Sequence, residues 1–226
     1  MEVWSLGRWK EQYDFGVGLA KIVAMFVSVV VFSWPIVAHA QAKISDEVAV
    51  VVSQGRLLGI TGGSGFVRAR LSAGETVLLT ESKGINALVQ TSDRLLGFSG
   101  PVQRWSEQRL DISESVQKIQ VTSRLIFVRT DKRLYGFQGP IGRWKVQDLG
   151  VQEEHRQTVV QDHVAVVVTD RRVLGFSTFT GGFFAEDLSN DETIEHVEAN
   201  DNIIVLFTSS RKLIFRSRLA VWAETR

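Results

Sequence analysis

Short apolar runs recur along most of the chain, each closed by a polar turn. They occupy residues 48–52 (VAVVV), 87–89 (ALV), 125–128 (LIFV), 164–168 (VAVVV) and 203–207 (IIVLF). Runs of this length between turn formers predict strands buried on both faces. A Ser/Thr-x-x-Arg turn follows each run and leads into a second apolar strand, as at residues 133–137. A Gly/Pro turn such as 138–142 comes next, then a third strand with a large aromatic, and a polar alternating segment such as 116–121 precedes the following run. The pattern predicts four strands per unit and no helix beyond residue 42.

The units keep register. Ser53, Thr91, Thr130, Thr169 and Thr208 open turns spaced 38, 39, 39 and 39 residues apart. Gly59, Gly97, Gly136 and Gly175 repeat in step, as do the aromatics Phe66, Trp105, Trp144, Phe183 and Trp222 and the leucines 71, 110, 149 and 188. About 40 residues in four strands is the size of one blade of a β-propeller. The expected fold is all-β: a five-bladed β-propeller of four-stranded antiparallel blades over residues 41–226. The mid-strand glycines fit crowding between blades, or a bulge, and the aromatic column suits the blade interface. The first strand of blade one is expected at residues 42–45. Closure is expected by packing of blade one on blade five, without a shared sheet, which leaves room for a homodimer.

The unit VRTDKRLYGFQGPIGRW, residues 128–144, is similar to the repeat of the quinoprotein-like (PQQ-type) β-propeller superfamily. The resemblance extends over residues 43–226 and implies the blade architecture. The chain has five repeats instead of the usual eight, no adjacent-cysteine pair and no evident calcium-ligating carboxylate set, so the resemblance implies no quinone cofactor. The nearer comparison is with non-enzymatic members that resemble periplasmic scaffolds for outer-membrane assembly.

Ahead of the repeats, residues 22–36 form an apolar stretch of about 15 residues, shorter than the roughly 20 that span a bilayer. Pro35 breaks it, and Ala38-His39-Ala40 and Ala40-Gln41-Ala42 both offer small residues at the positions a signal peptidase reads. Residues 1–40 are therefore expected to be a signal peptide cleaved after Ala40 or Ala42, with a periplasmic or secreted product. The alternative is an uncleaved inner-membrane anchor over 22–36, the chain's one expected link to a membrane.

Composition narrows the function. Lys plus Arg is 26 against 25 for Asp plus Glu, a net charge of +1, which argues against nucleic acid as a partner. With no cysteine, disulfides, thiolate nucleophiles and zinc ribbons are excluded. His155, His163 and His196 show no metal-ligand spacing, and Gly62-Gly63-Ser64-Gly65 lacks the Lys-Ser/Thr of a phosphate loop and reads as a hairpin turn. No catalytic, cofactor-binding or metal residues are expected, and the chain is read as a non-enzyme without cofactors.

Two sets of residues are candidates for binding. Arg56, Arg94, Arg133, Arg172 and Arg211 occupy one repeat position and would line one rim. Guanidinium groups suit carboxylate or phosphate, but the preferred reading is structural, each Arg covering apolar surface and pairing with a neighbouring blade's Asp. Phe179, Phe183 and Phe184 in the fourth repeat form a candidate asymmetric patch. Acidic residues around 186–201 are expected on solvated surface. The leading expectation is a protein-interaction or scaffold module; the alternative is a glycan-binding, lectin-like propeller. A glycosidase would need two inward-facing carboxylates, which the sequence does not place.

Overall fold

The computed structural model describes residues 47–225. The expected leader, cleavage sites and first strand of blade one lie outside these residues. Among the described residues no helix occurs, and nineteen strands form five antiparallel sheets in strict sequence order.

Sheet I holds β1 (Val48–Ser53), β2 (Arg56–Thr61) and β3 (Ser64–Arg70). Sheet II holds β4 (Val77–Lys83), β5 (Asn86–Thr91), β6 (Arg94–Ser99) and β7 (Arg104–Arg109). Sheet III is β8 (Val116–Val121), β9 (Leu125–Thr130), β10 (Arg133–Gln138) and β11 (Arg143–Asp148). Sheet IV is β12 (His155–Val160), β13 (Val164–Thr169), β14 (Arg172–Ser177) and β15 (Gly182–Asp187). Sheet V is β16 (Ile194–Asn200), β17 (Ile203–Thr208), β18 (Lys212–Arg216) and β19 (Val221–Thr225). Each four-stranded unit is the expected one: polar segment, apolar run, second strand, aromatic strand.

Consecutive sheets pack face to face through one repeated junction. The trailing face of one sheet receives the leading face of the next: Leu88 and Leu95 of sheet II meet Ile126, Val128, Tyr135, Phe137 and Trp144 of sheet III. The same columns join sheets III and IV, sheets IV and V, and sheets I and II. At every junction a Phe of the later sheet lies over the mid-strand glycine of the earlier one. A Cβ on Gly59, Gly97, Gly136 or Gly175 would come within 2.6, 2.7, 2.4 or 2.6 Å of Phe98, Phe137, Phe176 or Phe215. Crowding, and not a bulge, therefore explains the glycine column, since the register runs unbroken through these positions. The indoles add polar ties: Nε1 of Trp105, Trp144 and Trp222 donates to the carbonyls of Val67, Ser106 and Phe184 on the preceding sheet.

The two end faces of the array break the pattern. Val89, Val128, Val167 and Leu206 are fully buried on their leading faces, whereas Val51 at the same position of sheet I is 44% exposed. On sheet V the run β17 alternates between buried and half-buried residues, so only its leading face is covered. No apolar cluster among the described residues joins sheet I to sheet V, contrary to the expected closure. The cause is local. Sheet V carries Ile214 in the glycine column and Lys212 where the other trailing faces have Leu57, Leu95, Leu134 and Val173. Ile214 removes the socket for an aromatic ring, and burying Lys212 would desolvate an ammonium without a partner.

Candidate functional site

All five column arginines lie at the same end of their sheets, just after the hairpins that follow the apolar runs. Four of them are spent on the fold. Arg94, Arg133, Arg172 and Arg211 each fork onto a carboxylate nineteen residues earlier, Glu75, Glu114, Glu153 and Glu192. The main partners are thus Glu from the loop leading into the arginine's own sheet, and among the described residues an Asp partner of the expected kind is added at Arg133 alone, where Asp111, just after the last strand of sheet II, lies 3.2 Å away. Glu192, expected on solvated surface, is buried like the other three.

Each clasp is saturated. In the first, Glu75 accepts from Arg94 Nε at 2.8 Å and Nη2 at 2.9 Å, from the Thr91 hydroxyl at 2.6 Å and from the Ser72 amide at 2.7 Å. Glu114 has the same set from Arg133, Thr130 at 2.6 Å and the Asp111 amide at 3.0 Å, and the Tyr135 hydroxyl adds a fifth donor at 2.8 Å. Bidentate guanidinium–carboxylate pairing fixes orientation as well as charge. The arginine also reaches back to the preceding sheet: Arg94, Arg172 and Arg211 donate to the carbonyls of Arg70, Asp148 and Asp187. One carboxylate thereby holds the linker, its own sheet and the end of the sheet before.

Burial alone would push these carboxyls up. The arginine, the threonine hydroxyl and the turn amide together outweigh it and hold Glu75, Glu114, Glu153 and Glu192 at about 2, against an ordinary 4.5. They are permanently ionised anchors and not proton donors poised near neutrality. A cleft of about 440 Å³ between sheets IV and V, lined by Arg156, Asp170, Asn190 and Glu192, has its buried carboxylate already committed to Arg211.

Arg56 is the exception. It is exposed, and no carboxylate bonds it among the described residues; the positions 38 and 39 before Glu75 hold Val37 and Ile36. Nearby on the same face are Arg68 and Arg70, also exposed, and Arg68 lies 4.8 Å over the ring of Phe66. Phe66 is 55% exposed, whereas Trp144 in its column is 9% exposed.

The proposed asymmetric patch does not come together. Phe183 packs on Phe176 in the junction with sheet III, and Phe184 on Phe215 in the junction with sheet V. Adjacent strand residues point to opposite faces, so the pair serves two cores. Only Phe179 stands in solvent, stacked 4.8 Å from His163 with Arg218 at 5.6 Å. Burial, then the field of Arg124, holds His163 below its ordinary value. His155, His163 and His196 lie in no metal-capable cluster among the described residues.

No protein-family model and no curated protein matches the chain. Among solved structures it is similar to HIRA(644–1017), at 13% identity and a TM-score of 0.38, covering 80% of this chain and 56% of that one. The N-terminal domain of Nup159 aligns at 13% identity and a TM-score of 0.34, covering 80% and 60%. The Neurospora crassa Pan2 WD40 domain aligns at 12% identity and a TM-score of 0.32, covering 80% and 62%. The chain spans less than two thirds of the length of each.

Proposed function

We propose that the chain is an exported, non-catalytic module of the β-propeller type that works by binding protein. One observation carries this reading: on the leading face of sheet I Val51 and Phe66 are exposed and Leu58 and Ile60 half-buried, in the columns that every later sheet packs against its predecessor. An apolar, aromatic and arginine-bearing face of this kind has the composition of a protein-contact surface. The committed state of the buried carboxylates supports a scaffold over a hydrolase. Export is supported by the apolar stretch at 22–36 and the alanines at 38, 40 and 42.

The lectin-like alternative expects equivalent aromatic platforms in each repeat. The positions equivalent to the exposed Phe179 hold Pro101, Pro140 and Arg218, which favours protein over glycan.

Replacing Phe66 with a photo-crosslinking phenylalanine in the producing organism should yield a discrete cross-linked protein, while the same group at the buried Phe137 yields none. Saturable glycan binding at several equal sites, or turnover of a glycoside panel by the wild-type chain, would contradict the proposal.

A further inference from the structure

The hairpin of sheet I keeps half of the clasp. Ser53 stands where Thr91, Thr130, Thr169 and Thr208 stand, and Arg56 where their arginines stand, but the carboxylate is missing from the repeat position that would supply it. Arg56, Arg68 and Arg70 gather at this end of the face, and no acidic side chain bonds any of them among the described residues. In sheets II and V the position of Arg68 is a glutamate, Glu107 or Glu224, paired with the column arginine. Sheet I has thus lost both the loop carboxylate and the strand carboxylate, and it carries an extra cation in their stead.

From this we infer that the leading face of sheet I docks an acidic polypeptide segment, one that inserts a Glu or Asp side chain between Ser53 and Arg56 and lays apolar residues over Val51, Ile60 and Phe66. The inference rests on the protein-binding reading above and adds the partner's chemistry. Two features select this occupant. The first is continuity: at four junctions within the chain such a face is covered by apolar residues of the preceding sheet while a carboxylate from the intervening linker meets the arginine. The second is charge complementarity, with three guanidinium groups that no carboxylate bonds among the described residues beside an apolar strip.

A second copy of the chain is a poorer fit. Its free face is the trailing face of sheet V, with Lys212 and Arg216 exposed and Ile214 in the glycine column. Head-to-tail mating would oppose Lys212 to the edge that bears Arg68, setting like charges together, and would press Ile60 onto Ile214 where the other junctions interlock Phe with Gly.

The test uses the full chain and a labelled peptide of residues 72–79, Ser-Ala-Gly-Glu-Thr-Val-Leu-Leu, which carries a clasp carboxylate and its following apolar residues. The peptide should bind saturably and weaken as salt is raised. Arg56→Gln should reduce affinity at least about tenfold, as should Glu→Gln in the peptide, the loss of one charge-assisted pair. Arg143→Gln, on an exposed position of sheet III, should leave binding unchanged. Thermal unfolding keeps the folded state in view: Arg56→Gln should melt with the wild type, while Arg133→Gln melts earlier. Equal binding of the Glu and Gln peptides, equal binding by the Arg56→Gln chain, no binding of the acidic peptide, or sedimentation of the chain as a head-to-tail oligomer would each overturn the inference. Cross-linking through Phe66 reads the protein-binding proposal separately: it survives if a partner is captured while the peptide charge proves irrelevant, and falls if no partner is captured.

Discussion

Glu114→Ala should destabilise the chain by about 3 kcal/mol at neutral pH, near the low end for breaking a buried pair from one side. For a protein of this size that corresponds to a fall in melting temperature of roughly 6–12 °C. The substitution removes the acceptor shared by the Arg133 guanidinium, the Thr130 and Tyr135 hydroxyls and the Asp111 amide, and leaves Arg133 only the exposed Asp111 carboxylate as an acidic partner. Glu195→Ala, at an exposed position of sheet V, should stay within about 0.5 kcal/mol of wild type. The pH dependence follows from the same contacts. Because the folded carboxyl titrates at about 2 and an ordinary one at 4.5, its stabilisation is complete above pH 4.5 and is lost as pH falls towards 2. The gap between wild type and variant should therefore close across that window. Equilibrium denaturation at a series of pH values measures it; a gap that stays constant down to pH 2 would mean that the carboxylate charge does not hold the clasp.

Gly136→Ala should cost about as much, for a steric reason. Its Cβ would lie 2.4 Å from the Phe176 ring, which is fully buried and has no space to retreat into. Overpacking of this kind costs about 1–3 kcal/mol, and here it also wedges apart sheets III and IV, whose junction includes Leu134, Leu174 and Phe183. Shortening the opposing side chain should relieve it: Gly136→Ala with Phe176→Leu should be more stable than the sum of the two single losses by at least about 1 kcal/mol. Gly63→Ala, where a Cβ meets nothing within 4 Å, should be neutral within about 0.5 kcal/mol. Additive losses in the double variant would show that the ring does not rest on the glycine.

The sheets were legible because their pattern is strictly periodic. The apolar runs, the second strands and the aromatic column all fall where the 39-residue beat puts them, and the glycine column announced the close contact it makes. The clasp was written in the same beat, with Glu75, Glu114, Glu153 and Glu192 also 39 residues apart. It is missed when carboxylates are sought as catalytic pairs or as local acidic clusters, because each lies nineteen residues from its arginine and meets it only through the fold. Phe183 and Phe184 read as a surface feature since two adjacent aromatics look redundant, yet strand alternation sends them into separate junctions. The open end faces are harder to read. A buried strand and a half-exposed one share the same apolar composition, as the identical runs at 48–52 and 164–168 show, and the marks of the open faces lie elsewhere, in Lys212 and Ile214 of sheet V and in Arg68 and the missing clasp carboxylate of sheet I.

The absence of cysteine allows a direct reading of the array. Single cysteines at Val51, Val89, Val128, Val167 and Leu206 sample one leading-face position in all five sheets. In dilute chain without a partner, thiol labelling should be fast at 51 and strongly protected at 89, 128, 167 and 206. Protection at 51 equal to that at 89 would mean that sheet V or another element covers sheet I, and fast labelling at 128 or 167 would mean that the sheets are not stacked in sequence at all.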